Sequence, residues 1–342
     1  MNIMYPKNLD DYLGQDTIKF LLRVAMNASI RLKKPLPHIL LEGNPGLGKT
    51  ALANAIAGEM GAKFHQVLGL NIKSQQELLQ VLTPLSDPPI IDYCSETGKP
   101  RFNMNGFIPD IMFIDEIHGL KRDIEETFYL IMDEFQFEFR ENGSESKRGW
   151  VPPFTLIGAT TLEGNLTPPF LRRFGLKFRL ENYGIEQLTE LILKYCNKNK
   201  INISKKGAIA IAQRCRGSAS YAITYTLRCR DYAITFREDG KITEKMANDN
   251  FKYMRIDPIG LQQVDYKILS VLMESGGTMG VSPLTSIVGI DKNTYERNVE
   301  PYLTQSGLIA RTPRGRMITT RGMSILGIEV INTSNNMMRV GS

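Results

Sequence analysis

Eight residues constrain this chain more than any others: Gly43-Asn44-Pro45-Gly46-Leu47-Gly48-Lys49-Thr50, which fit the pattern GxxxxGK[ST]. They follow the short apolar run His38–Leu41 and precede Ala51, Leu52, Ala55 and Ile56, small and apolar residues at helical spacing. The context is therefore strand, glycine loop, helix. In that context glycines such as Gly46 and Gly48 let backbone N–H groups wrap phosphates, and the helix N-terminus attracts the anion. Lys49 reaches the β- and γ-phosphates of a nucleoside triphosphate, and Thr50 holds a divalent cation. ATP and Mg²⁺ are the expected ligands.

Two more buried strands follow from apolar runs. Ile111–Ile114 ends in Asp115-Glu116, and Phe154–Ala159 ends in Thr160-Thr161. Short apolar strands alternating with helices imply a parallel sheet covered on both faces, an α/β fold whose ligands bind at the strands' C-terminal ends. Both acids fall at such an end, so Asp115 is expected to hold the metal through water and Glu116 to orient the attacking water. A threonine at the end of the third strand would set a hydroxyl near the γ-phosphate. His118 is read as packing or capping after the acids, and His38 and His65 as structural.

Beyond Tyr183-Gly184 the strand patterns vanish, and amphipathic segments such as Glu186–Asn199 and Ser218–Phe236 predict a small helical domain over residues 184–256. After Asp257-Pro258 come helices at Gln262–Ser275, near Pro283–Val288 and at Asn293–Ser306. The β-prone runs Leu308–Thr312 and Arg316–Thr320 then flank Pro313-Arg314-Gly315, which has turn chemistry. Helices followed by a hairpin are the parts of a winged helix over 257–330, which makes DNA the first partner to consider. Arg311, Arg314, Arg316 and Arg321 lie in an acid-free stretch, and Arg311, Arg314 and Arg316 are candidate phosphate contacts. A polar tail, 331–342, ends the chain.

The bulk properties exclude classes of function rather than select one. The net charge of +6 fits an anionic partner and is also ordinary for a soluble protein. Four cysteines without a CxxC pair give no zinc spacing and read as reduced thiols. No long apolar run or signal-peptide pattern is present, so a soluble, cytoplasmic protein is expected.

Several segments together resemble the RuvB family of AAA+ ring motors. They are Asp11–Gln15 (DYLGQ), Gly43–Thr50, Phe113–His118 (FIDEIH), Pro152–Thr161 (PPFTLIGATT), Arg172–Gly175 (RRFG), Gly260–Leu269, Glu300–Ile309 and Arg311–Arg316 (RTPRGR). The resemblance spans nearly the whole chain. It implies an AAA+ P-loop domain over 1–183, a helical lid and a C-terminal winged helix, assembled as a homo-hexamer that moves duplex DNA at four-way junctions beside a RuvA-like protein. It makes Lys49 and Thr50 the Walker A pair, Asp115 and Glu116 the Walker B pair, Thr161 the sensor of the γ-phosphate and Arg173 an arginine finger acting on the neighbouring subunit. Tyr12 and Leu13 would flank the adenine, and Tyr183 and Arg216 are further expected nucleotide contacts.

Three features depart from the family's pattern. Ser220 stands where the family has a second sensor arginine. Arg216, four residues earlier, would share its face if the segment were helical and could partly replace it. Weak basal turnover that depends on ring assembly is the expected consequence. The segment between Thr83 and Ile111 is longer than the family's and reads as an inserted loop or hairpin. The hairpin Phe135–Val151, which in the family docks on RuvA, carries a charged tip at Arg140–Arg148. Two other readings stay open: a clamp-loader-like remodelling ATPase, and a DNA-binding protein in which ATP is a slowly hydrolysed structural ligand.

Overall fold

The computed structural model describes residues 6–95, 99–139 and 147–327. The chain divides into two compact units, Met1–Tyr183 and Gly184–Ser342. The first begins with α1 (Asp16–Leu32), which buries Ile18, Leu22 and Met26 at helical spacing, and continues through β1 (Ile39–Glu42), α2 (Lys49–Met60), β2 (Phe64–Leu68) and α3 (Gln75–Leu82). Then come β3 (Ile90–Tyr93), β4 (Pro100–Phe102), β5 (Asp110–Asp115), α4 (Arg122–Glu134), β6 (Gln136–Phe139), β7 (Lys147–Trp150), β8 (Phe154–Thr160), α5 (Pro168–Arg172) and β9 (Leu176–Arg179).

Five of these strands form one parallel sheet in the order β2-β5-β8-β1-β9. The three central strands are buried almost throughout, which is why each reads as a continuous apolar run. The edge strands FHQVL and LKFR mix polar with apolar residues, and their sequences gave no such run. His38, at the start of β1, accepts a hydrogen bond from the Leu156 N–H on its Nδ1 (2.9 Å) and donates from Nε2 to the Met132 carbonyl (3.1 Å). It thereby ties β1, β8 and α4 together, and burial lowers its pKa to about 4, so the ring is neutral.

Two antiparallel ribbons leave this sheet domain. The segment after Thr83 forms the hairpin β3–β4, on which Ile90, Ile91 and Tyr93 are exposed. The second, β6–β7, follows α4 directly. Residues 140–146 of its charged tip, and the polar tail, lie outside the described residues.

The second unit opens with four helices, α6 (Ile185–Lys198), α7 (Lys205–Ala212), α8 (Ala219–Phe236) and α9 (Glu244–Tyr253). A winged-helix arrangement follows: α10 (Gln263–Glu274), β10 (Thr278–Met279), α11 (Val281–Val288), α12 (Lys292–Thr294), α13 (Glu300–Gln305), β11 (Ile309–Thr312), β12 (Gly315–Ile318) and α14 (Thr320–Ile325). Its strands pair in the order β10-β12-β11 over a core built on Leu269, Leu284, Tyr295 and Leu303. Between α12 and α13 the helix widens to a π turn at Tyr295–Val299. Pro301 lies just beyond, and the wider turn accommodates a ring that has no N–H to give and would crowd the carbonyl four residues back.

One expectation about this unit is corrected. Arg216 does not share a helical face with Ser220. Arg216 and Gly217 both take positive φ (53° and 74°), and Ser218 caps α8, so the helix starts after the arginine. Its side chain is buried instead: Nε donates to the Gly260 carbonyl (2.7 Å), Nη2 pairs with the fully buried Asp265, and the guanidinium lies over the Tyr302 ring. Arg216 thus pins the turn before α8 onto the winged helix. Ser220 itself is exposed.

Candidate nucleotide site and DNA-facing arginines

The glycine loop hangs between β1 and α2. The Gly43 N–H donates to the Thr160 carbonyl at 3.2 Å, which fastens the loop to the end of β8. Gly46 and Gly48 take φ of 80° and 92°, a region that side chains rarely enter, and a Cβ on Gly48 would come within 3.1 Å of the Tyr12 hydroxyl. Tyr12 and Tyr183 brace the loop from that side. The Tyr12 hydroxyl donates to the Leu47 carbonyl (3.3 Å), while the Tyr183 hydroxyl lies 3.0 Å from that of Tyr12 and 3.2 Å from the same carbonyl. Burial, reinforced by the neighbouring phenol, raises the Tyr12 pKa well above the ordinary range. Leu13 is half-buried beside them.

Lys49 opens α2 and is buried, yet its hydrogen-bond acceptors are two neutral carbonyls, Gly43 O at 2.6 Å and Asn44 O at 3.2 Å. Burial pushes its pKa down, and the nearby Glu116 and Asp115 oppose that shift. A buried ammonium with carbonyl partners, at the N-terminus of a helix beside two acids, fits a triphosphate. Thr50 is the next residue on α2. The donor set fits Mg²⁺ as well, because Asp115 and the Thr50 hydroxyl are hard oxygen ligands of the kind that share this ion with phosphates.

Asp115 closes β5, and its Oδ1 accepts the Glu116 N–H at 3.0 Å. Burial raises its pKa, the main effect, against that hydrogen bond and the Lys49 charge. Glu116 turns the chain at φ 49°, an uncommon conformation for a side-chain-bearing residue. Its Oε2 accepts from the Thr161 hydroxyl (3.2 Å) and lies 3.1 Å from His118 Nδ1. His118 Nδ1 is also 2.9 Å from Thr160 Oγ1, which accepts the Leu162 N–H. Glu116, His118, Thr160 and Thr161 form one polar network. Reading His118 as packing or capping after the acids did not foresee this network, although its place two residues past a sharp turn could have suggested a ring folded back toward the acid.

The arginines divide sharply. Arg173 pairs with Asp133 (2.9 Å), donates to the Pro169 carbonyl (2.9 Å) and stacks on the Tyr129 ring at 4.1 Å, all on α4 and α5. None of these partners belongs to the glycine loop or the β5 acids. In the winged helix, Arg314 is exposed in the turn between β11 and β12, and Arg321 is exposed on α14. Arg311 and Arg316 both meet the fully buried Glu300, so the wing arginines are not equivalent. Cys196, Cys215 and Cys229 are free and buried. No helix among the described residues is long and apolar enough to cross a membrane.

Three family models match the chain in succession. They are the Holliday junction DNA helicase RuvB P-loop domain over residues 4–96 and 104–180, the RuvB AAA lid domain over 183–257, and the RuvB C-terminal winged helix domain over 258–327. The gap at 97–103 falls on the inserted ribbon and takes in β4. Among solved structures, the RuvB Holliday junction branch migration motor of Thermotoga maritima is 33% identical over 95% of this chain and 99% of its own, with a TM-score of 0.80. A proline-to-glycine variant of that protein is 34% identical over 96% of this chain and 100% of its own, with a TM-score of 0.81. With an AAA+ P-loop sheet, a lid and a winged helix all matched in order, the chain belongs to the RuvB family.

Proposed function

We propose that this chain is an ATPase that drives branch migration of Holliday junctions, with one catalytic centre built from its P-loop unit and a neighbour's arginine. The observation that carries the reading is the Glu116–Thr161 contact, which joins the water-orienting acid to a γ-phosphate-facing hydroxyl in a chain that also bears a basic winged helix. Lys49 neutralises the β- and γ-phosphates, and Thr50 and Asp115 would hold Mg²⁺, which would supply further charge neutralisation. Glu116 orients the attacking water, and the Thr161 hydrogen bond with the neighbouring His118 ring sets its carboxylate plane. Thr161 exchanges this bond for one to the γ-phosphate, which couples the presence of ATP to the freedom of the acid.

Arg173 acts across a subunit boundary in a homo-hexameric ring and stabilises transition-state charge on the neighbour's ATP. Tyr12, Leu13 and Tyr183 line the base end of the site, with the two phenols holding the glycine loop. The working domain limits are 1–183, 184–256 and 257–330, with the tail 331–342. DNA is taken by the winged helix, a RuvA-like protein docks on the β6–β7 hairpin, and the protein works in the cytoplasm. The clamp-loader reading has no use for a winged helix, and the structural-ligand reading has none for an intact Glu116 network.

ATP turnover with and without a synthetic four-way junction tests this. Turnover is expected to rise with the junction, Lys49→Ala to lose ATP binding, and Glu116→Gln to bind ATP without hydrolysing it. Parent-rate hydrolysis by Glu116→Gln, or indifference to the junction, would overturn the assignment.

A further inference from the structure

We propose that Glu300 is the positioning residue of the wing, dividing its arginines into an internal strut, Arg316, and two phosphate contacts, Arg311 and Arg314. This rests on the reading that DNA binds the winged helix. Arg311 and Arg316 are directly opposite one another in the β11–β12 pairing, where two like charges repel. Glu300, the first residue of α13 and 0% exposed, lies against both. Its Oε1 accepts from Arg311 Nε at 2.6 Å and is 2.6 Å from Arg316 Nε, and its Oε2 accepts from Arg316 Nη2 at 3.0 Å.

A carboxylate buried without partners would be costly, and two guanidinium groups satisfy this one. They are not used alike. The Arg316 side chain is 17% exposed, donates to Glu300 from Nη2 and has its buried Nε against the same carboxylate, so little of it remains for a ligand. The Arg311 side chain is 59% exposed and gives only Nε, which fixes the plane of its fork and leaves the terminal nitrogens on the open side. That is a pre-organised phosphate ligand, whose ordering cost is met on folding and not on binding. Arg314, exposed in a turn closed by the Thr312 hydroxyl on the Gly315 carbonyl, is the second contact.

Bulk charge and positioning make opposite forecasts for Glu300. Removing its negative charge would tighten DNA binding if only net charge mattered, whereas loss of the anchor would weaken it. The test is DNA affinity of the full chain for a labelled duplex across a salt series, with thermal unfolding in parallel. Glu300→Gln is expected to bind up to ~10-fold more weakly than the parent despite its added net positive charge. Arg311→Ala and Arg314→Ala should each shallow the salt slope by about 0.9, and Arg316→Ala should leave the slope unchanged while lowering thermal stability. If Glu300→Gln does not fold, Arg311→Lys, a mostly exposed site, serves: it keeps the charge, loses the Nε anchor and should bind several-fold more weakly. Parent-like or tighter binding by a folded Glu300→Gln or by Arg311→Lys overturns the proposal, as does an Arg316→Ala slope that falls as far as that of Arg314→Ala. If the parent shows no salt-dependent binding, or if neither Arg311→Ala nor Arg314→Ala alters it, the wing is not a DNA surface and both readings fall.

Discussion

The glycine-loop site and the buried carboxylates of the C-terminal unit handle charge differently. Around the glycine loop, Lys49 has two carbonyls, Glu116 a hydroxyl and an imidazole, and Asp115 a backbone N–H. In the C-terminal unit two buried carboxylates are met by arginines, Asp265 by Arg216 and Glu300 by Arg311 with Arg316. The first arrangement leaves charge unspent for a ligand that brings its own. The second consumes charge in folding, and that decides which arginines remain for phosphate. Arg173 stands between them, since its partner Asp133 is half exposed and such a pair is weak enough to exchange for a stronger anion.

The largest effect that would sharpen this contrast is at Arg173. Arg173→Ala should lower ATP turnover by ~10³-fold or more with nucleotide affinity nearly intact. Mixing it with Lys49→Ala protein should restore part of the turnover, each variant supplying what the other lacks. No rescue in assemblies shown to contain both would place the arginine's action within one subunit.

Arg216 is the opposite case. Arg216→Ala strands a buried carboxylate and should cost the second unit about 3–5 kcal/mol in denaturant unfolding, while ATP affinity stays at the parent value. A stable variant with weakened ATP binding would return Arg216 to the nucleotide site and break the comparison.

A third device is to hold a buried group uncharged, as at His38. Its pKa is about 4 in the folded chain against about 6.5 when unfolded. The unfolded chain therefore binds the extra proton first, so this contribution to stability is complete above pH 6.5 and is lost as pH falls toward 4, by up to about 3 kcal/mol. His38→Gln should flatten that part of the stability–pH curve. An unchanged slope would assign the acid sensitivity to other groups.

What could be read in the sequence follows the same physics. The central strands were legible because both faces are buried, and the glycine loop because its spacing is dictated by phosphate geometry. β2 and β9 were not, since sheet edges tolerate polar residues. The extent of α8 was legible, but nothing local announces that Arg216, two residues before its cap, turns left-handed and leaves the face of Ser220. Glu300 drew no notice as a lone acid: its partners lie 11 and 16 residues on, across a helix and a hairpin, and only the register of β11 with β12 brings them together. His118 was passed over for a similar reason, its contacts being made at the ends of two neighbouring strands.

The most direct test of the account is dissociation of a synthetic Holliday junction with a homologous core, with and without a RuvA protein. The parent chain is expected to resolve it into duplexes only with ATP, and Glu116→Gln to bind the junction and leave it intact. Dissociation without ATP, equal dissociation by Glu116→Gln, or ATP turnover by the parent that never moves the junction would contradict it.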